Sequence, residues 1–236
     1  MAAALRAPTA GNMMLYSIIE IEEQSLKDTF AKTCDNQPFI AKSPLVLVFC
    51  ADYARMMAFF KASDVEGCLE SKSESMLWPR ESNLMLATSD AIIAAQTAAL
   101  ASESLGLGSC YIGDIMEHWE LHKDLLSLPR YCFPVAMLCI GYPTEQQKKR
   151  PQTPRLDASI VIHKNHYAMP EPEKLSQIYS ENQGYAKPMA GEYGREPGGL
   201  LPYNEGQSLY IRKFSADYSI EMRRSVAAML EEWRRD

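Results

Sequence analysis

Hydrophobic positions come in blocks separated by charged or Gly/Pro-rich stretches. Residues 15–22 carry Tyr16, Ile18 and Ile19 in a β-rich run that breaks into the charged stretch Glu22 to Lys27, which predicts a strand followed by a helix to about Thr33. Pro44 to Ala51 is almost wholly apolar (Leu45, Val46, Leu47, Val48, Phe49, Cys50), the pattern of a central strand covered on both faces. Phe133 to Ile140 repeats that pattern and is closed by Gly141-Tyr142-Pro143. Asn83 to Ser104 reads as one long helix, with alanine at 87, 91, 94, 95, 98, 99 and 101 and no Gly or Pro until Gly106. Gly106 and Gly108 supply its stop and deliver the chain into Ser109–Ile112. A short helix is expected around Asp114 to Leu126, ending at Pro129.

Beyond Tyr167 the pattern dissolves. Residues 168–207 hold five of the 14 prolines and six of the 12 glycines, which predicts an arm or long loop with one helix at Glu173 to Glu181. Helical spacing returns at Ser219 to Trp233, where Ile220, Val226, Met229, Leu230 and Trp233 share a face. Few strands mixed irregularly with helices predict an α+β fold with a small sheet, not a doubly wound one. No GxGxxG follows the first strand and no GxxxxGK[ST] occurs, so dinucleotide-fold and P-loop readings are set aside.

The 236 residues, 47% hydrophobic and 23% charged, are an ordinary globular mixture. A net charge of −6 argues against coating nucleic acid. Six cysteines without a CxxC pair read as free thiols of a reducing cytoplasm. Met1 to Met14 has no apolar run suited to a signal peptide or membrane span. His118 and His122, at i and i+4, invite a zinc reading, but Glu120 is misplaced for HExxH and no third ligand is evident; no metal is expected. His163 and His166 read as surface residues.

Three segments in order, Ala7-Pro8-Thr9-Ala10-Gly11-Asn12-Met13-Met14, Asp90-Ala91-Ile92-Ile93-Ala94-Ala95-Gln96 and Gly106-Leu107-Gly108-Ser109-Cys110-Tyr111-Ile112-Gly113, resemble the FMN-dependent nitroreductase family. The likeness runs from about residue 3 to 167, and Arg212-Lys213-Phe214 to Trp233 resembles the C-terminal extension of one branch. It implies a homodimer with a small, mostly antiparallel sheet flanked by helices, and two FMN molecules in clefts at the subunit interface. Residues 1–167 would form the flavin-binding domain. Residues 168–236 would form an arm and helix packed on that domain or on the partner subunit.

The resemblance also assigns residues. Pro8, Thr9 and Asn12 would reach the flavin ring through a hydroxyl and a carboxamide, with Gly11 allowing close backbone approach; the plainer reading is an ordinary turn. Gly108, Ser109 and Cys110 would pass beside the isoalloxazine, or serve only as a helix cap and its exit. Gln96 would orient ring or substrate, or simply be solvated. In KKRPQTPRLD, Arg155 would hold the flavin phosphate by its fork of donors, although Gln152 or Thr153 stands where relatives carry a Lys; otherwise the basic run with Lys148, Lys149 and Arg150 is a solvated surface.

One departure stands out. The Arg-x-Ser-x-Arg segment that opens relatives has no counterpart in the eight residues before Thr9, and Ala2 to Ala7 reads as the second half of a helix, so a start placed too late is expected. The implied activity is hydride transfer from NADH or NADPH through FMN to a nitroaromatic- or quinone-like acceptor, with no dedicated catalytic acid or base. Residues 56–80 and 184–207 would select the acceptor. A catalytically silent scaffold that binds flavin weakly or not at all is the alternative.

Overall fold

A computed structural model describes residues 1–181 and 205–234. The chain divides into two compact units, one of Met1–Thr144 with the stretch from Glu221 onward, the other of Glu145–Ile220. The first unit opens with β1 (Tyr16–Glu20), α1 (Gln24–Thr33), α2 (Phe39–Lys42), β2 (Leu45–Asp52), α3 (Ala54–Ala62) and α4 (Val65–Glu70). It continues through α5 (Glu81–Ser104), β3 (Gly108–Ile112), α6 (Trp119–Leu125) and β4 (Cys132–Gly141). The second unit carries α7 (Glu145–Lys149), α8 (Pro172–Glu181) and α9 (Glu205–Leu209), and leads into α10 (Asp217–Arg234). The helix expected at Glu173 to Glu181 is α8, while 182–204 lie outside the described residues.

Four antiparallel strands form one sheet in the order β1-β2-β4-β3. The two apolar runs are its central pair, and their alternation explains why both read as continuous apolar stretches. Val46, Val48 and Cys50 point with Met137 and Cys139 into a cluster containing Phe30, Trp119 and Trp233. Leu47 and Phe49 point the other way, with Leu138 and Ile140, onto α5. Both faces are buried, so neither strand shows a polar alternation.

On that second face α5 presents Ala91, Ala94, Ala95 and Ala98 to the sheet. Side chains this small let the helix lie close while removing apolar surface from water. The helix begins two residues before the sequence pattern suggested, because the Asn83 carboxamide accepts the Arg80 N–H at 3.0 Å and closes the first turn. By length and composition α5 is apolar enough to cross a membrane. Its alanine face is nevertheless core, while Met85, Leu86, Ile92, Ile93 and Leu100 remain exposed on the others.

Ala4–Arg6 forms a 3-10 turn. One local expectation is corrected. The helix expected over 114–126 is broken into a 3-10 turn at Gly113–Met116 and α6, because His118 adopts φ +48° and Glu117 turns inward to near-complete burial. That break lets the terminal helix dock: the Trp119 N–H donates to Ser225 Oγ at 2.8 Å. Trp233, fully buried, sets its ring edge-on against Tyr131 and Phe133 and donates Nε1–H to the Arg80 carbonyl at 3.0 Å.

Candidate functional site

The turn before β1 is organised by a residue from a distant helix. Asp90, on the alanine face of α5 and 3% exposed, accepts the Thr9 hydroxyl, the Ala10 N–H at 2.9 Å and the Leu15 N–H at 3.1 Å. Thr9 Oγ1 in turn accepts the Met14 N–H at 2.9 Å. Gly11, Asn12 and Met14 all take positive φ (+54°, +57° and +51°). Glycine and asparagine do so readily, whereas Met14 adopts it at some cost. What offsets that cost is a clamp from the other side: Arg55 donates to the Met14 carbonyl and to the Tyr16 carbonyl at 3.3 Å. Asp52 holds the Arg55 N–H at 3.2 Å and the Ser17 hydroxyl at 2.5 Å.

This turn is thus fixed from both ends. Thr9's hydroxyl is committed within it, and the exposed surface belongs to Pro8, Gly11 and Asn12. Asp90, Asp52 and Arg55 escaped the sequence reading. Asp90 had a usable signal, since a carboxylate among alanines on the buried stripe of a helix demands partners.

The second candidate group lies on β3, an edge strand with no strand beside its outer side among the described residues. Gly106, at φ +75°, ends α5 as expected. Ser109 and Cys110 are exposed and Gly108 half-buried. Gly108 faces Gly141 across the ladder, and a Cβ on Gly141 would sit a tight 3.0 Å from Pro44 Cδ, whereas one on Gly108 would meet Pro143 at an ordinary 3.6 Å. Gln96 lies exposed on α5, away from the alanine face.

The structure does not bring these groups together within one chain. β1 and β3 are opposite edges of the sheet. Tyr16, just after the turn, stands level with Ala51 and Phe133, whereas Ser109 stands level with Ile140. Three strand spacings across and seven residues along place them at diagonally opposed corners, roughly 14 Å by 23 Å apart. No single ring system in one protomer touches both. Arg155 lies in the second unit, exposed, in the segment 151–157 with no regular structure. Nearby in sequence, Lys148 pairs with Glu145 at 2.7 Å and Asp157 caps the Ser159 N–H at 2.9 Å.

The histidine pair divides between core and surface. His122 is fully buried with both ring nitrogens engaged, Nδ1 with the Ile115 carbonyl at 2.9 Å and Nε2 with Thr33 Oγ1 at 2.8 Å. Burial, only partly offset by the Ile115 carbonyl, lowers its pKa and favours the neutral ring. His118 is exposed, 3.6 Å from Glu221. Among the described residues no cluster of three His, Cys, Asp or Glu side chains is arranged to hold a metal. Next to this pair, burial and then the neighbouring Asp114 push the Glu117 carboxyl up to about 8.

A small antiparallel sheet with an alanine-faced helix on one side and a mixed aromatic core on the other, plus a bound-down Thr-x-x-Asn turn, makes this an α+β protein. The fold agrees closely with NfrA2 of B. megaterium (TM-score 0.75, 28% identity, 98% of this chain and 85% of that one). In sequence the chain is 32% identical over 180 residues to the oxygen-insensitive NADPH nitroreductase of Salmonella typhimurium, covering 76% of this chain and 68% of that protein. It is 29% identical over 204 residues to the FMN reductase [NAD(P)H] of Bacillus subtilis, covering 86% and 76%. The family profile matches residues 1–142, and the chain belongs to the nitroreductase family.

Proposed function

We propose that this chain is an FMN-dependent oxidoreductase that uses NADH or NADPH to reduce a nitroaromatic- or quinone-like acceptor, and that it works as a homodimer. The observation that carries this reading is the Asp90-held turn, which presents Asn12 in a fixed left-handed pose while using Thr9 internally. A flavin ring edge is a row of carbonyl and nitrogen groups, and a preset carboxamide beside exposed backbone suits it. When bound, FMN supplies the hydride and electron transfer that no side chain can.

Pro8 and Asn12 would line one end of the ring, with Thr9 as the residue that holds them there. Gly108, Ser109 and Cys110 would line another part, their outward N–H groups stabilising negative charge on the cofactor's edge. Gln96 would orient ring or acceptor, and Arg155 would pair with the terminal phosphate. The fit has one condition. Because the turn and β3 sit at opposed corners of the sheet, a ring touching both needs the turn of one protomer and β3 of its partner. The exposed Met85, Leu86, Ile92, Ile93 and Leu100 on α5 support that arrangement, since a row of this kind is covered in stable proteins.

Acceptor choice would fall to residues 56–80, where Leu77 and Trp78 are exposed, and to the 184–207 arm, which falls largely outside the described residues. All six cysteines are free thiols, which fits a reducing compartment, and the cytoplasm is the proposed location. A visible spectrum of purified protein, taken before and after FMN addition and desalting, tests the reading. A retained flavin band that bleaches with NADPH or NADH is expected. A protein that retains no flavin after reconstitution would overturn it in favour of a silent scaffold.

A further inference from the structure

Cys110 and Cys139 are directly opposite each other in the antiparallel pairing of β3 with β4. Opposed residues in such a ladder point to the same face with Cα atoms about 4.5–5.5 Å apart, inside the span of roughly 4.4–6.8 Å that a disulfide bridges. The two differ in access: Cys110 is exposed on the edge strand, and Cys139 is 4% exposed. That is the arrangement of an attacking thiol that oxidants can reach and a resolving thiol that they cannot.

The remaining cysteines lack it. Cys50 and Cys132 touch through a side-chain hydrogen bond although they are not directly opposite in the ladder, but both are buried, so neither offers a thiol that an oxidant reaches from solvent. Cys68 is exposed on α4, and Cys34 is buried at the C-terminal end of α1. The pKa values of both thiols are held up by their surroundings: burial and then Asp114 raise Cys110, and burial pushes Cys139 up to about 11, with the Ser43 hydroxyl opposing, the neighbouring Cys110 adding to the rise and the Lys27 ammonium opposing it. Lys27 is itself 8% exposed and anchored to the Ser43 and Pro44 carbonyls at 3.3 and 3.4 Å.

We propose that Cys110 and Cys139 form a reversible disulfide under peroxide, tying the exposed edge strand to the sheet interior. The Cys110 thiolate attacks one peroxide oxygen, the O–O bond breaks, and a sulfenic acid and one water result. The Cys139 sulfur then attacks the Cys110 sulfur, the S–O bond breaks, and hydroxide leaves with the released proton as a second water. Two thiols lose two electrons and two protons, and one peroxide becomes two waters. On the flavin reading above, the bond would also make cofactor retention sensitive to oxidants, but the linkage itself is independent of that reading.

The test is hydrogen peroxide treatment of the purified full chain, alkylation of remaining thiols after denaturation, and mass mapping of the digest. The expected result is a loss of two hydrogen masses, alkylatable thiols falling from six to four, a linked peptide pair containing Cys110 and Cys139, and full reversal by dithiothreitol. Cys110→Ser should abolish the pair and leave Cys139 alkylatable. Over-oxidised Cys110, or Cys110 linked to a second copy, with Cys139 still alkylatable in either case, would overturn the proposal.

Discussion

Asp90 on α5 accepts the hydroxyl of Thr9, 81 residues earlier in the chain, and the same carboxylate takes the Ala10 and Leu15 N–H groups. One buried charge therefore fixes the conformation of the whole turn before β1. Asp90→Ala strands these donors, the Leu15 N–H fully buried among them, and is expected to cost about 2–4 kcal/mol in urea denaturation. Thr9→Val removes one link and should cost about 1–2 kcal/mol. FMN retention should fall in both, further in the first. A wild-type unfolding midpoint for Asp90→Ala would show that the carboxylate is not what holds the turn.

Association can be read independently. Leu100 and Ile93, 58% and 39% exposed on α5, are proposed to lie between protomers. Leu100→Asp or Ile93→Asp would bury a charge at such a contact, at a cost of several kcal/mol. Sedimentation should show a dimer converted largely to monomer, with flavin lost in parallel, because the cofactor site needs both copies. Dimers that persist in both variants would remove α5 from the interface.

Glu117 gives a pH dependence with a definite sign. In the unfolded chain it releases its proton near its ordinary value of 4.5, but in the fold burial, then the hydrogen bond its protonated carboxyl donates to Asp114, and the charges of Asp114, Asp35 and Glu221 hold it up to about 8. Folding therefore takes up a proton between those values, and stability falls as pH rises through that window. Glu117→Gln should flatten this slope and make the variant more stable than the parent above pH 8, by on the order of 2 kcal/mol. Parallel stability–pH curves for the two proteins would refute the assignment.

Arg155 is proposed as the phosphate partner. Arg155→Ala should weaken FMN binding about tenfold, corresponding to the roughly 1.4 kcal/mol of one charge-assisted contact, without moving the unfolding midpoint of the apoprotein, since the side chain is exposed. Fluorescence titration of FMN against both proteins decides it. Equal affinities would leave the basic stretch as surface.

Both central strands, the long helix and its glycine stop, and the terminal helix were legible along the chain. Each rests on local information: apolar runs too continuous for an exposed sheet, alanines without a breaker, a positive φ that glycine accepts. The broken helix at Glu117–His118 was not legible. Helical propensity favours continuing through it, and it is tertiary docking of Ser225 on the Trp119 N–H that rewards the break. Likewise, the spacing of His118 and His122 did not show that packing makes His122 a core residue bonded to Thr33 and Ile115.

The candidate site divides in the same way. Sequence by itself determined which residues stand in the turn, on the edge strand and in the basic stretch, because those motifs are contiguous. Only the tertiary structure decided that Thr9 faces Asp90 and that the turn and β3 occupy opposed corners of one sheet. Strand order and register are properties of pairing between distant segments, set by which apolar faces bury against each other, and no local pattern encodes them.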